Sequence, residues 1–365
     1  MKVTFLIGNG FDVNLGINSS YSKFYDWYCK RPSILGYINE FKENIEKDMN
    51  QNVPDEEKTW ADFEVGLGKY TTHFSLESAS QFLDCYEDAQ ADLVHYLKEQ
   101  VAKINVEAVS DDALTAFSDT ILNFYQELPT LELRTVDTVC NGIQNENREI
   151  SFISFNYTGV LDEILKQLPS TTLKKWKHGN VEYVCRINPS VVHVHGTTSE
   201  FPILGVDADA QIINTELLND PRFREVMIKA ECVAALGHIW HQQAEQLISQ
   251  SKIVCIFGMS LGETDAKWWR KLAQWLKADG GRRIIVHWYD RNPPNGISAR
   301  KQLETKNKVI DKFLSYSSLT DKEKSTLRSR IHVIINTKNF LKIPKSEFLG
   351  NQQEDIAPIK ELALV

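Results

Sequence analysis

Four short segments carry the residue types that could do chemistry, and each lies just past an apolar run. The first is Gly8-Asn9-Gly10-Phe11-Asp12, which follows Val3–Ile7. The others are Asn156 and Tyr157 in "ISFNYTG", His195 and Gly196 in "VHVHG", and Gly258, Ser260 and Asp265 in "FGMSLGETD". A glycine pair between a buried strand and a segment that can start a helix is a means of bringing backbone N–H groups close to a phosphate. The strict dinucleotide fingerprint fails, because its third glycine would fall at Val13. A tight turn with no ligand is therefore the competing reading of that stretch.

Histidine titrates near neutral pH and suits general-base work, but at a strand end it also serves as a hydrogen-bonded structural residue. Asn156 can cap a helix starting near Tyr157 or Thr158. Asp12 can serve a turn or a cap, and Asp265 a cap or a salt bridge within its own helix. A different chemistry starts from His193 and His195, which alternate on one strand as a metal pair would, with His238 and His241 offered as further ligands. No carboxylate in a recognisable spacing completes that set, so no metal is assigned and a metal-dependent hydrolase is the lesser alternative.

Positioning these residues requires strands that end on one edge. The run Val3–Ile7 recurs in kind as "SFISFN", "SVVHVHG", "KIVCIFG", "RRIIVHWYD" and "RIHVIIN", mostly separated by segments long enough for a helix. That alternation predicts an α/β fold with a doubly wound, mostly parallel sheet, whose strand-end loops share one crevice. Between Pro32 and Asn147 no such run occurs. Helical patterns replace it, among them "SILGYINEFKENIEK", "WADFEVGLGKY", "DDALTAFSDTILNFYQEL" and a long segment in which Phe82, Tyr86, Ala89, Leu93 and Tyr96 recur at helical steps. The expected organisation is a nucleotide-binding core at 1–31 and 149–340, a large helical insertion after the first strand at 32–148, and a C-terminal tail at 341–365. Trp60 and Phe63, with Glu64, read as core of the insertion, and one long helix is expected from Pro221 through Gln250.

A net charge of −8 over 365 residues excludes a general nucleic-acid footprint, and Lys174, Lys175 and Lys177 read as a solvated loop. Hydrophobic residues at 42% and charged residues at 25% are those of an ordinary folded protein. No apolar run reaches the roughly 20 residues that span a bilayer, so a cytoplasmic protein without membrane contact is expected. The six cysteines are scattered singly and read as buried thiols rather than a zinc or disulfide framework.

In order along the chain, "LIGNGFDVNLGINSSYSKF", "WADFE", "FISFNYTGVLDEIL", "VVHVHG" with "ILGV", and "FGMSLGETDAKWW" resemble the AbiH phage abortive-infection family. More distantly, the landmarks are similar to those of sirtuin-like NAD-consuming enzymes. Gly8–Asp12 falls at their Gly-Ala-Gly-x-Ser, Gly16-Ile17 at a Gly-Ile pair, Ser154–Thr158 at Thr-Gln-Asn-Ile-Asp, His195-Gly196 at His-Gly and Gly258–Leu261 at Gly-Thr-Ser-Leu. The resemblance implies a Rossmann-like core, anti-phage defence, and NAD as substrate, hydrolysed to nicotinamide and ADP-ribose. Asn156 would orient water or the ribose and His195 would act as base. Gly8, Asn9, Gly10, Phe11, Asp12, Tyr157, Gly196, Gly258, Ser260 and Asp265 would line the nucleotide site. Asp12 stands for a serine and Thr158 for an aspartate, and the paired zinc cysteines of the protein deacetylases are missing, which disfavours deacetylation. The departures leave open a sensor that binds NAD, ADP-ribose or another nucleotide without cleaving it. A cytoplasmic NAD hydrolase also needs restraint, so a homo-oligomer, a regulatory partner or a phage-derived trigger acting through the insertion is expected.

Overall fold

The computed structural model describes residues 1–32, 39–51, 58–142, 144–200, 202–292 and 298–349. Among them, seven strands form one sheet: β1 (Lys2–Ile7), β2 (Arg148–Ser154), β3 (Thr172–His178), β4 (Val181–His193), β5 (Ile253–Phe257), β6 (Arg283–Trp288) and β7 (Ile331–Ile335), in the order β3-β4-β2-β1-β5-β6-β7. Every neighbouring pair is parallel except β3 with β4. The chain moves outward from β1 through β2 and β4 on one side and through β5, β6 and β7 on the other. The loops after β1 and β5 therefore flank a switch point, where open α/β sheets form a crevice.

Period-two alternation gives β1 two buried faces. Val3, Phe5 and Ile7 enter one core and Leu6 the other. After β1 come α1 (Gly10–Leu15) and α2 (Tyr21–Tyr28), then α3 (Glu40–Met49), α4 (Phe63–Tyr70), α5 (Ala79–Val101), α6 (Asp111–Leu122) and α7 (Thr130–Asn141). Helix α8 (Val160–Gln167) follows β2, and α9 (Pro221–Met227), α10 (Lys229–Ala235) and α11 (Trp240–Gln250) precede β5. Helix α12 (Ala266–Ala278) joins β5 to β6, and α13 (Ala299–Ser315) with α14 (Asp321–Arg328) leads to β7. Among the described residues, no helix is long and apolar enough to cross a membrane.

The helices before β2 divide between two cores. Phe117, Ile121 and Val136 of α6 and α7 join Phe5 and α8 on one sheet face, whereas Phe24, Phe63 and Phe82 of α2, α4 and α5 build a separate aromatic cluster with Trp60, Leu204 and Met227. Each fully buried ring of this kind stabilises the fold by about 1.5–3 kcal/mol. The helical face Phe82, Tyr86, Ala89, Leu93, Tyr96 is buried as its period predicts.

Three expectations are corrected. Lys174, Lys175 and Lys177 lie on β3, not in a loop. This exposed edge strand turns antiparallel onto β4 through Gly179-Asn180, and its mostly solvent-facing side chains hide it in the sequence. The single helix expected over 221–250 is three: Ile228 is extended and its neighbours bond Val206, with Val206 N–H donating to Met227 O and Lys229 N–H to Val206 O, and Gly237, at φ +74°, ends α10 before α11 begins. Leu341, Ile343 and Phe348, assigned to a tail, are buried against the sheet core, while residues 350–365 lie outside the described residues. Of the first predicted insertion helix, residues 33–38 lie outside the described residues, Asn39 caps α3 and α3 covers the rest.

Candidate functional site

The glycines after β1 and β5 are required by one another. Gly8 N–H donates to Phe257 O, Gly10 N–H to Gly258 O and Phe11 N–H to Gly8 O, at 2.8–2.9 Å. Gly258 has φ +71°, and a Cβ on Gly10 would stand 2.5 Å from Gly258 Cα. Only paired glycines allow the two loops to touch, and these three amides are already committed within the protein. Phe11 turns away from the crevice into the sheet core, edge-on to Phe117.

The β1 loop is also tied to the β2 loop. Buried Asp12 accepts hydrogen bonds from Asn156 Nδ2 (3.0 Å) and Thr158 Oγ1 (2.7 Å). Burial lifts its carboxyl to about 6 against those two bonds. Asn156 caps no helix, since α8 begins only at Val160 with Gly159 before it. Its amide is oriented by Asp12, and its buried Oδ1 has no partner.

His195 follows β4, and its carbonyl accepts from Ile203 N–H at 2.8 Å. Its Nε2 lies 3.3 Å from Asp265 Oδ1; Asp265 stands at the N-cap position of α12 but its side chain makes no capping bond there. Burial and the Lys229 charge lower the His195 pKa although Asp265 opposes them, so the ring is a neutral base at neutral pH. His193 takes a different partner, with Nε2 2.8 Å from Asp162. His238 stacks on Trp240, and His241 sits beside Lys267 with burial lowering it to about 3. Among the described residues, no group of three His, Cys, Asp or Glu is arranged to hold a metal ion.

The opposite wall comes from residues that sequence reasoning gave no role. Asp62 caps α4 through Glu64 and Val65 N–H, which directs the Glu64 side chain inward. Glu64 accepts from Lys229 Nζ at 2.7 Å, and the Tyr157 hydroxyl lies 3.0 Å from its other oxygen. Lys229, carried to this depth by the break at Ile228, also donates to Thr264 O and lies 3.5 Å from Asp265. Burial lifts Glu64 to about 7 despite Lys229. Burial works in the same direction on Asp265, but Lys229 and His195 overcome it and hold that carboxyl at about 2.

These walls enclose a cavity of about 590 Å³ at the carboxyl edge of the sheet. Of the residues expected at a site, Gly8, Asn9, Gly10, Asp12, Asn156, Tyr157, His195, Gly258, Ser260 and Asp265 line it. Phe11 and Gly196 do not; Gly196 instead supplies a positive-φ turn (φ +69°) directly after His195. The cavity is large enough for part of a nucleotide-sized ligand.

Comparison with curated proteins gives no match. A family model described as bacteriophage abortive infection AbiH matches residues 4–288, a span that takes in β1 from Thr4 onward, β2 through β6 and every residue lining the cavity except Arg291. The chain belongs to the bacteriophage abortive infection AbiH family.

Proposed function

We propose that this abortive-infection protein is a sirtuin-like NAD hydrolase with a Rossmann-like core, splitting the nicotinamide–ribose bond in the cavity at the sheet edge. The observation that carries the reading is His195, a buried imidazole on the cavity wall with the Asp265 carboxylate 3.3 Å from its Nε2; burial and Lys229 lower its pKa, which favours the base form. Bond cleavage sends the C–N electron pair to nicotinamide, which leaves neutral, and a ribosyl cation develops at the anomeric carbon. Water adds there, His195 takes the proton, and the products are nicotinamide, ADP-ribose and one proton. Asn156, fixed by Asp12 with its Oδ1 unpartnered, orients the water or a ribose hydroxyl. The ionised Asp265 and the carboxylates beyond it stabilise the developing positive charge, which is largest in the transition state. Because the amides of Gly8, Gly10 and Phe11 serve loop packing, phosphate contacts fall to the Ser260 and Arg291 part of the wall. Self-association or a partner protein restrains turnover in the host.

The test is incubation of purified wild type and His195→Ala with NAD, following free nicotinamide and ADP-ribose beside a binding titration. Release by wild type, lost in the variant with binding retained, is expected. Binding without release by either protein would replace the hydrolase with a nucleotide sensor.

A further inference from the structure

Charge is unevenly distributed around the cavity. The carboxylates Asp12, Asp62, Glu64 and Asp265 line it, whereas Arg291, exposed, is the one lysine or arginine among the described lining residues. Lys229 stands behind the wall, its ammonium engaged by Glu64, Asp265 and the Thr264 carbonyl. Two further groups point to a ligand rather than to a merely acidic surface. Asn156 Oδ1 and the Tyr25 hydroxyl are buried, belong to lining residues and have no hydrogen-bond partner, although buried polar atoms ordinarily find one. A phosphate placed among Asp62, Glu64 and Asp265 would meet like charge in a poorly solvated site, where repulsion is strong. A cation placed there meets compensating charge.

We propose that the acid-walled end of the cavity takes the positively charged end of its ligand, a pyridinium N-riboside, with the phosphates directed toward Arg291. This inference rests on the hydrolase reading and adds an orientation and a selectivity to it: the site reads the charge of the ring, not only its shape. The oxidised and reduced forms of the dinucleotide are the natural probes. They share ribose, pyrophosphate and adenine, and differ in that the oxidised nicotinamide ring is cationic and the reduced one neutral.

The experiment is isothermal titration of the full chain with NAD⁺, NADH and ADP-ribose, using His195→Ala protein to prevent turnover, alone and combined with Asp62→Asn or Glu64→Gln. The expected result is NAD⁺ binding at least tenfold tighter than NADH, with either carboxyl substitution reducing that ratio while leaving ADP-ribose affinity within about twofold. Circular dichroism melts establish that each variant is folded, and Asp62→Asn preserves the test if Glu64→Gln is not. Equal affinity for NAD⁺ and NADH would overturn the inference and leave the hydrolase reading standing wherever wild type releases nicotinamide. Binding of none of the three at millimolar concentration, with no nicotinamide release, would overturn both.

Discussion

Lys229→Met tests whether the buried ammonium is what allows three carboxylates to share one wall. Lys229 is buried and contacts Glu64 at 2.7 Å and Asp265 at 3.5 Å. Removing one partner of a buried pair costs about 3–5 kcal/mol, since the other charge stays behind without compensation. Against a total stability of about 5–15 kcal/mol that is a large fraction. The loss also depends on pH, and its sign follows from Glu64. In the wild type this carboxyl is raised from 4.5 to about 7, so its contribution is full below 4.5 and is lost as pH rises through about 7. Without Lys229 the folded-state pKa rises further. Near pH 5.5 Glu64 is protonated in both proteins and the variant loses mainly the Asp265 contact. Near pH 8.5 the wild type holds an ionised, paired Glu64, whereas the variant must either bury a bare carboxylate or bind a proton. Each unit of pKa is worth about 1.4 kcal/mol, so the variant's deficit grows by about 1–3 kcal/mol between those two pH values. Asp62, Asp265, His195 and Tyr157 also face the pair, and the double variant Lys229→Met/Glu64→Gln separates their part, because its deficit no longer grows with pH. Urea unfolding followed by tryptophan fluorescence reads these differences as shifts in midpoint at constant slope. A deficit below about 1 kcal/mol at pH 8.5, or one of equal size at both pH values, would show that Lys229 does not compensate a buried Glu64 carboxylate.

Gly258→Ala places a Cβ 2.6 Å from Phe11 N on a backbone with φ +71°, and a loss above about 2 kcal/mol in urea unfolding is expected; Gly280→Ala, with nothing within 4 Å, serves as a control within about 0.5 kcal/mol. Asp12 is raised from 3.8 to about 6, so its stabilising contribution is full below 3.8 and is lost as pH rises through about 6. The stability of wild type relative to Asp12→Asn should therefore fall by about 3 kcal/mol between pH 4 and pH 7. A flat difference between the two proteins would show that Asp12 is not desolvated in solution.

What could be read from the sequence follows from what each element buries. Strands β1, β2, β5, β6 and β7 are buried on both faces or nearly so, and continuous runs of Val, Ile and Phe announce them. Strand β3 is an exposed edge rich in lysine, and no such run marks it. The sheet-edge half of the site was legible for a related reason: in a parallel sheet, knowing where strands end is enough to place Asp12, Asn156, His195 and Asp265 together. The half facing the sheet was not, because Lys229 reads as an ordinary helical lysine until the bond between Val206 and Met227 breaks that helix one residue before it. Glu64 did leave a signal. Helix α4, "FEVGLGKY", buries Phe63, Gly66, Leu67, Gly68 and Tyr70 around its circumference, and a Cβ on Gly66 would stand 2.3 Å from the Trp60 ring. Lys69 is the exposed residue of this helix, and the side turned away from it is enclosed, so a carboxylate on that side is buried and must find a cation, here Lys229. The burial of Glu64 is thus written within eight residues of sequence, whereas its partner lies 165 residues further along the chain and leaves no local sign.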